Sequence, residues 1–93
     1  MALSYAARIS VPSGVLISQV AGESVILNIK TERYFGLDEV GTMMWTALTN
    51  SETIQAAYER LLGEFDVEPQ RLRGDLDLLI NNLAERGLIE VID

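Results

Sequence analysis

The chain has no cysteine and no histidine. The first absence excludes disulfides, thiolate nucleophiles and cysteine-held metals. The second removes the commonest general base and the commonest metal ligand. Cations are scarce as well: one lysine and six arginines, scattered along 93 residues, face 14 carboxylates and leave a net charge of −7. Phosphate contacts need clustered Lys and Arg, so nucleic acid is not an expected partner. No run approaches the roughly 18 apolar residues of a membrane span. The opening "MALSYAARISVPSG" lacks the positive and apolar regions of a signal peptide. The expectation is a cytoplasmic protein with no membrane partner.

What is present is an ordinary globular balance, 48% apolar and 23% charged. Ninety-three residues suit one domain with one modest core. Residues 1–14 show no clear period and read as an extended N-terminal segment, punctuated by Pro12 and Gly14; residues 15–93 read as the domain. "VLISQVA" (Val15–Ala21) and "SVILNIK" (Ser24–Lys30) are β-branched runs with the turn residues "GE" between them, a hairpin signal. In the second run Val25, Leu27 and Ile29 share one face, with Asn28 and Lys30 on the other, which fits a sheet with one wet side. A turn near Thr31–Glu32 leads to a third strand, "YFGL". A two-residue loop puts Tyr34 beside Ile29; a three-residue loop, which buries more apolar area, puts Phe35 and Leu37 on the face of Leu27 and Ile29. The third strand is an edge.

Asp38 stands where a helix N-cap belongs, and Glu39 follows at the positive end of the helix dipole. Val40, Met44, Ala47 and Leu48 share the inner face of this first helix. Gly41 costs it roughly 1 kcal/mol relative to Ala and is either tolerated or required by close packing. Ile54, Ala57, Tyr58, Leu61, Leu62 and Phe65 mark a second amphipathic helix, capped by Asn50 or Ser51. Pro69 ends that segment and opens a third helix, to about Arg86. Its apolar stripe is Leu72, Leu76, Leu79, Ile80 and Leu83, with Leu78 off the centre, and Gly87 is its natural C′ residue. "LIEVI" (Leu88–Ile92) is a short final strand. The expected fold is α+β and winged-helix-like: a three-stranded antiparallel sheet, three helices and a short C-terminal strand.

No catalytic constellation emerges. Asp75 and Asp77 lie two apart on a helix and point in different directions. "GEFDVE" lacks the spaced oxygen ligands of a calcium loop, and no nucleophile is paired with a base. An enzyme is not expected, and neither a metal nor a cofactor. Tyr34, Trp45 and Tyr58 read as core or half-buried aromatics. A winged helix raises DNA binding at the level of fold alone. On the third helix, however, Arg71, Arg73 and Arg86 are cancelled by Asp75, Asp77 and Glu85.

The ordered set "VILNIKTERYFGLDEVGTMMWTAL", a second helix, a proline-containing break, an acidic Leu-rich third helix and "RGLIE" resembles the PqqD-like family of peptide-binding domains, also called RiPP recognition elements. It covers about Val15 to Val91. Within the family, "YFGLDEVG" followed by Trp45 is most similar to stand-alone leader-recognition proteins of lasso-peptide gene clusters. The resemblance implies that a precursor's leader peptide adds as a strand to the edge of the third strand, in the groove before the third helix. It implies contact roles for Arg33, Tyr34, Phe35 and Gly36 on the strand, and for Leu72, Asp75, Leu76, Leu79 and Leu83 on the helix. Leu76, Leu79 and Leu83 serve either this groove or the core, and Asp75 would meet a basic leader residue. The implied partners are a separate transglutaminase-like leader peptidase and an asparagine-synthetase-like cyclase; in the quinone-cofactor branch of the family, the partner would be a radical SAM enzyme.

Overall fold

The computed structural model describes residues 3–93. Its elements are β1 (Arg8–Ser10), β2 (Val15–Val20), β3 (Glu23–Asn28), β4 (Arg33–Leu37), α1 (Glu39–Asn50), α2 (Ile54–Glu64), α3 (Pro69–Glu85) and β5 (Glu90–Ile92). Strands β2, β3 and β4 form an antiparallel meander in that order, and β1 pairs with β5 in a separate two-stranded ribbon. The α+β arrangement of meander, three helices and short last strand is the one the sequence predicts.

The hairpin turn is Ala21–Gly22, one residue earlier than "GE", with Val20 opposite Glu23. Both turn residues have positive φ, 55° and 85°, as a two-residue hairpin turn of type I′ demands. The β3–β4 connection has four residues, because Asn28 pairs with Arg33; Tyr34 lies opposite Leu27 and Phe35 opposite Ile26. Neither of the expected shorter loops forms.

The face assignment of β3 is inverted relative to the sequence reading. Ser24, Ile26 and Asn28 point inward, while Val25 and Ile29 are exposed and Leu27 is half-buried. The inward polar groups are satisfied. Ser24 Oγ and Thr42 Oγ1 of α1 are hydrogen-bonded at 2.7 Å. Asn28 Nδ2 donates to the Gly87 carbonyl at 3.0 Å, and its Oδ1 accepts from the Lys30 and Thr31 N–H groups at 2.9 and 3.3 Å. Paired polar groups can be buried at little cost, so hydrophobicity alone does not choose the face.

The helices start and stop as local chemistry dictates. Asp38 Oδ1 accepts from Gly41 N–H at 2.8 Å and caps α1. A Cβ on Gly41 would meet Leu37 Cδ2 at 3.1 Å, so this glycine permits close packing of strand end on helix start. The cap of α2 is Thr53, not Asn50 or Ser51: its hydroxyl accepts from Ala56 N–H at 3.0 Å. At the end of α3, Gly87 (φ 69°) allows Leu88 N–H to reach the Leu83 carbonyl at 3.0 Å, a Schellman closure.

The N-terminal segment is an integral part of the core. Tyr5, Ala7 and Ile9 are buried. The carbonyls of Tyr5 and Ala7 accept from Gln55 and Ile54 N–H, both at 2.8 Å, which occupies two of the orphan donors that open α2. Tyr5 Oη donates to Asp77 Oδ1 at 2.6 Å, and the Arg73 guanidinium stacks 3.9 Å from its ring centre. Burial, then the bond to Asp77, raise the Tyr5 pKa well above the ordinary tyrosine range. Around this strap, Ile26, Leu48, Ile54, Leu61, Leu76, Ile80 and Leu83 are fully buried and join sheet to helices.

Candidate functional site

β4 is the last strand of its sheet, so one row of its backbone N–H and C=O groups has no strand beside it. Arg33, Phe35 and Leu37 alternate along it with Tyr34 and Gly36. The first set lies on the helix side: Leu37 is buried and Phe35 packs against the core. The second set faces water, and Tyr34 is 69% exposed, which corrects its reading as a core or half-buried aromatic. Gly36 has nothing within 4 Å of where a Cβ would stand, so the approach to the strand is open there.

The C-terminal end of α3 stands next to this edge, and two ties hold it there. The Arg86 guanidinium lies over the Phe35 ring, 4.9 Å from its centre, and Arg86 Nη1 donates to the Asn82 carbonyl at 3.1 Å. The Asn28 bond to Gly87 anchors the end of β3, which pairs with the start of β4, to the end of the helix. Two hollows of about 260 Å³ each lie along this line. One is walled by Glu32, Arg33, Tyr34 and Arg86. The other, between α3 and the start of α1, is walled by Asp38, Val40, Asp75, Leu78, Leu79 and Asn82, among others. A broader hollow of about 660 Å³ lies over Ser18, Val20, Val25 and Gly36 on the water side of the sheet. It has no helix wall and no charged side chain but those at its rim, Glu23 and Asp38. The edge-to-helix groove is therefore the better-built site.

The structure places Arg33 and Tyr34 in the first hollow and Asp75 and Leu79 in the second; Phe35 lies under Arg86 on the helix side of β4, and Gly36 lines the broader hollow on the water side. Leu72, Leu76 and Leu83 do not reach the groove; they point from α3 into the core and are buried. Of the three leucines left between core and groove, only Leu79 is half-buried and walls the hollow. Val40 is exposed and lines the groove instead of the core. Leu78, Asn82 and Arg86 are groove residues that the helical stripe does not reveal. The sequence places Leu78 off the apolar stripe, and the structure leaves it 63% exposed at the wall of the second hollow.

An edge strand, a helix tied to its sheet and charged hollows beside them define a small recognition domain. The model of the family described as coenzyme PQQ synthesis protein D (PqqD) matches residues 23–89, and the chain belongs to that family of PqqD-like recognition elements. No curated protein matches the chain. Among solved structures, TbiB1 in complex with the TbiA(beta) leader peptide is 27% identical, with a TM-score of 0.79 over 87% of this chain and 94% of that one. A lasso peptide synthetase B1 complexed with its leader peptide is 18% identical, with a TM-score of 0.78 over 89% and 98%; at that identity it speaks for the fold alone.

Proposed function

We propose that this chain binds the leader segment of a ribosomally made precursor peptide as an added strand on β4, and presents it to a separate leader peptidase and macrocyclase of lasso-peptide biosynthesis. The observation that carries this reading is the unpaired β4 edge beside the hollow walled by Asp75, Leu78 and Leu79. Strand addition takes affinity from main-chain hydrogen bonds and specificity from pockets for alternate side chains, and this groove offers both. The leader complex of the 27% identical relative supports the leader-binding part of this reading. The chain acts by binding rather than catalysis, in the cytoplasm, with a transglutaminase-like peptidase and an asparagine-synthetase-like cyclase as its enzymes.

A leader of roughly ten ordered residues buries about 1,000–1,500 Å² in total, near the lower end of specific interfaces. Ordering the peptide offsets part of the gain, so the expected Kd is roughly micromolar to tens of nanomolar. The match to the PqqD description favours a second reading, delivery of the precursor to a radical SAM enzyme. Neighbouring genes separate the two. The test of binding is a fluorescence-anisotropy titration with the labelled leader from the small open reading frame beside this gene. Saturable binding that a scrambled peptide lacks is expected; equal binding of both peptides, or none, refutes the proposal.

A further inference from the structure

The groove is electrically polarised along its length. At the start of β4 stand the guanidiniums of Arg33 and Arg86, with one carboxylate, Glu32, in the same hollow. At the other end stand Asp38 and Asp75, with no cation in the wall. Among the described residues the one ion pair is Arg60–Glu64, on α2, so none of these groove charges is neutralised by a close partner. Arg33 and Leu37 are four residues apart, about 14 Å along an extended strand. Both lie on the helix side, with Phe35 midway.

We infer that this polarity sets the direction and register of the bound peptide. The inference rests on the peptide-binding reading above. An added strand alternates its side chains, so every second residue faces α3. Antiparallel addition continues the antiparallel meander, and its peptide runs from the Leu37 end to the Arg33 end. The preferred ligand then carries a basic residue, an apolar residue and an acidic residue at positions i, i+2 and i+4. The basic residue meets Asp38 and Asp75, the apolar one packs on Phe35 and Leu79, and the acidic one meets Arg33 and Arg86. Reversing the peptide, or slipping it by two residues, puts like charges together or leaves charges unmatched, so the same groups select against wrong registers.

The test is selection from a displayed library of random ten-residue peptides against the full chain, its Asp75→Lys variant and its Arg33→Glu variant. Asp75 and Arg33 are exposed, so both variants keep the core intact. Wild type should enrich basic–x–apolar–x–acidic. Asp75→Lys, with Asp38 retained, should weaken the basic preference at i, and Arg33→Glu, with Arg86 retained, should weaken the acidic preference at i+4. A selected peptide with either charge reversed should bind about two- to fivefold more weakly at low salt, with the difference shrinking as salt rises. Enrichment without charge order, in the opposite order, or unchanged by the variants overturns the inference and leaves peptide binding standing. No enrichment at all on folded protein overturns the peptide-binding reading, and this inference with it.

Discussion

Replacing Asn28 by alanine removes three hydrogen bonds at once, all made by a side chain only 7% exposed. The Gly87 carbonyl loses its donor, and the N–H groups of Lys30 and Thr31 lose their acceptor. A buried group left without its partner costs about 1–3 kcal/mol, and the turn N–H groups are partly reachable by water, so the loss should be about 2–4 kcal/mol in total. For a domain of this size each kcal/mol moves Tm by about 4–8 °C. Asn28→Asp isolates the donor: it keeps the acceptor for the turn but sets a carboxylate against the Gly87 carbonyl. Both variants loosen the tie between the end of α3 and the β3 end that positions β4, so leader affinity should fall by more than the unfolded fraction accounts for. Chemical denaturation followed by circular dichroism measures the first quantity and anisotropy on the folded fraction the second. An Asn28→Ala protein within 0.5 kcal/mol of wild type, a margin typical of inconsequential surface changes, would refute the view that this side chain holds edge and helix together.

Two neighbouring leucines of α3 should separate packing from binding. Leu76→Ala should cost about 2–5 kcal/mol of stability, whereas Leu78→Ala should leave stability within 0.5 kcal/mol and cost about 1–3 kcal/mol of leader binding; urea melts and titrations of the two variants check this. Tyr5 is bound in its protonated form and its pKa is raised by folding. Its stabilising contribution is therefore complete below the unfolded tyrosine pKa of about 10 and is lost as pH rises beyond it. Wild type should lose stability above that pH more steeply than Tyr5→Phe, itself about 1–3 kcal/mol weaker at neutral pH, as denaturation series at several pH values will show. Ala21→Asn should raise stability by roughly 0.5–1 kcal/mol, read as a higher Tm, because asparagine tolerates the left-handed φ of this turn better than alanine.

The helices were legible because their signals are local. Asp38, Pro69 and Gly87 announce caps and stops that need no tertiary partner, and the stripe Leu72–Leu76–Ile80–Leu83 states its own buried face. The sheet was less legible. Which side of β3 turns inward depends on Thr42 and on the Gly87 carbonyl, groups distant in sequence that satisfy Ser24 and Asn28. Hydrophobicity alone favours the side that the structure leaves wet. The first residues carry no period, because Tyr5 and Ala7 are held by the α2 terminus and by Asp77, not by a regular element of their own. On the candidate site, the strand residues Arg33, Tyr34, Phe35 and Gly36 came from the family resemblance, and they lie on the β4 edge. The helix residues divided by exposure: Asp75 and Leu79 face the groove, while Leu72, Leu76 and Leu83 serve the core. A helical wheel shows which residues are apolar but not where a neighbouring strand stops short of the helix.

The most direct test of strand addition is amide hydrogen exchange, with and without the leader peptide of the adjacent precursor gene. Addition on β4 predicts that alternate amides between Arg33 and Leu37 become slow to exchange on binding, while those of β2, the opposite edge of the same sheet, do not change. Saturating peptide that leaves the β4 amides unprotected, or that protects β2 instead, would contradict the account.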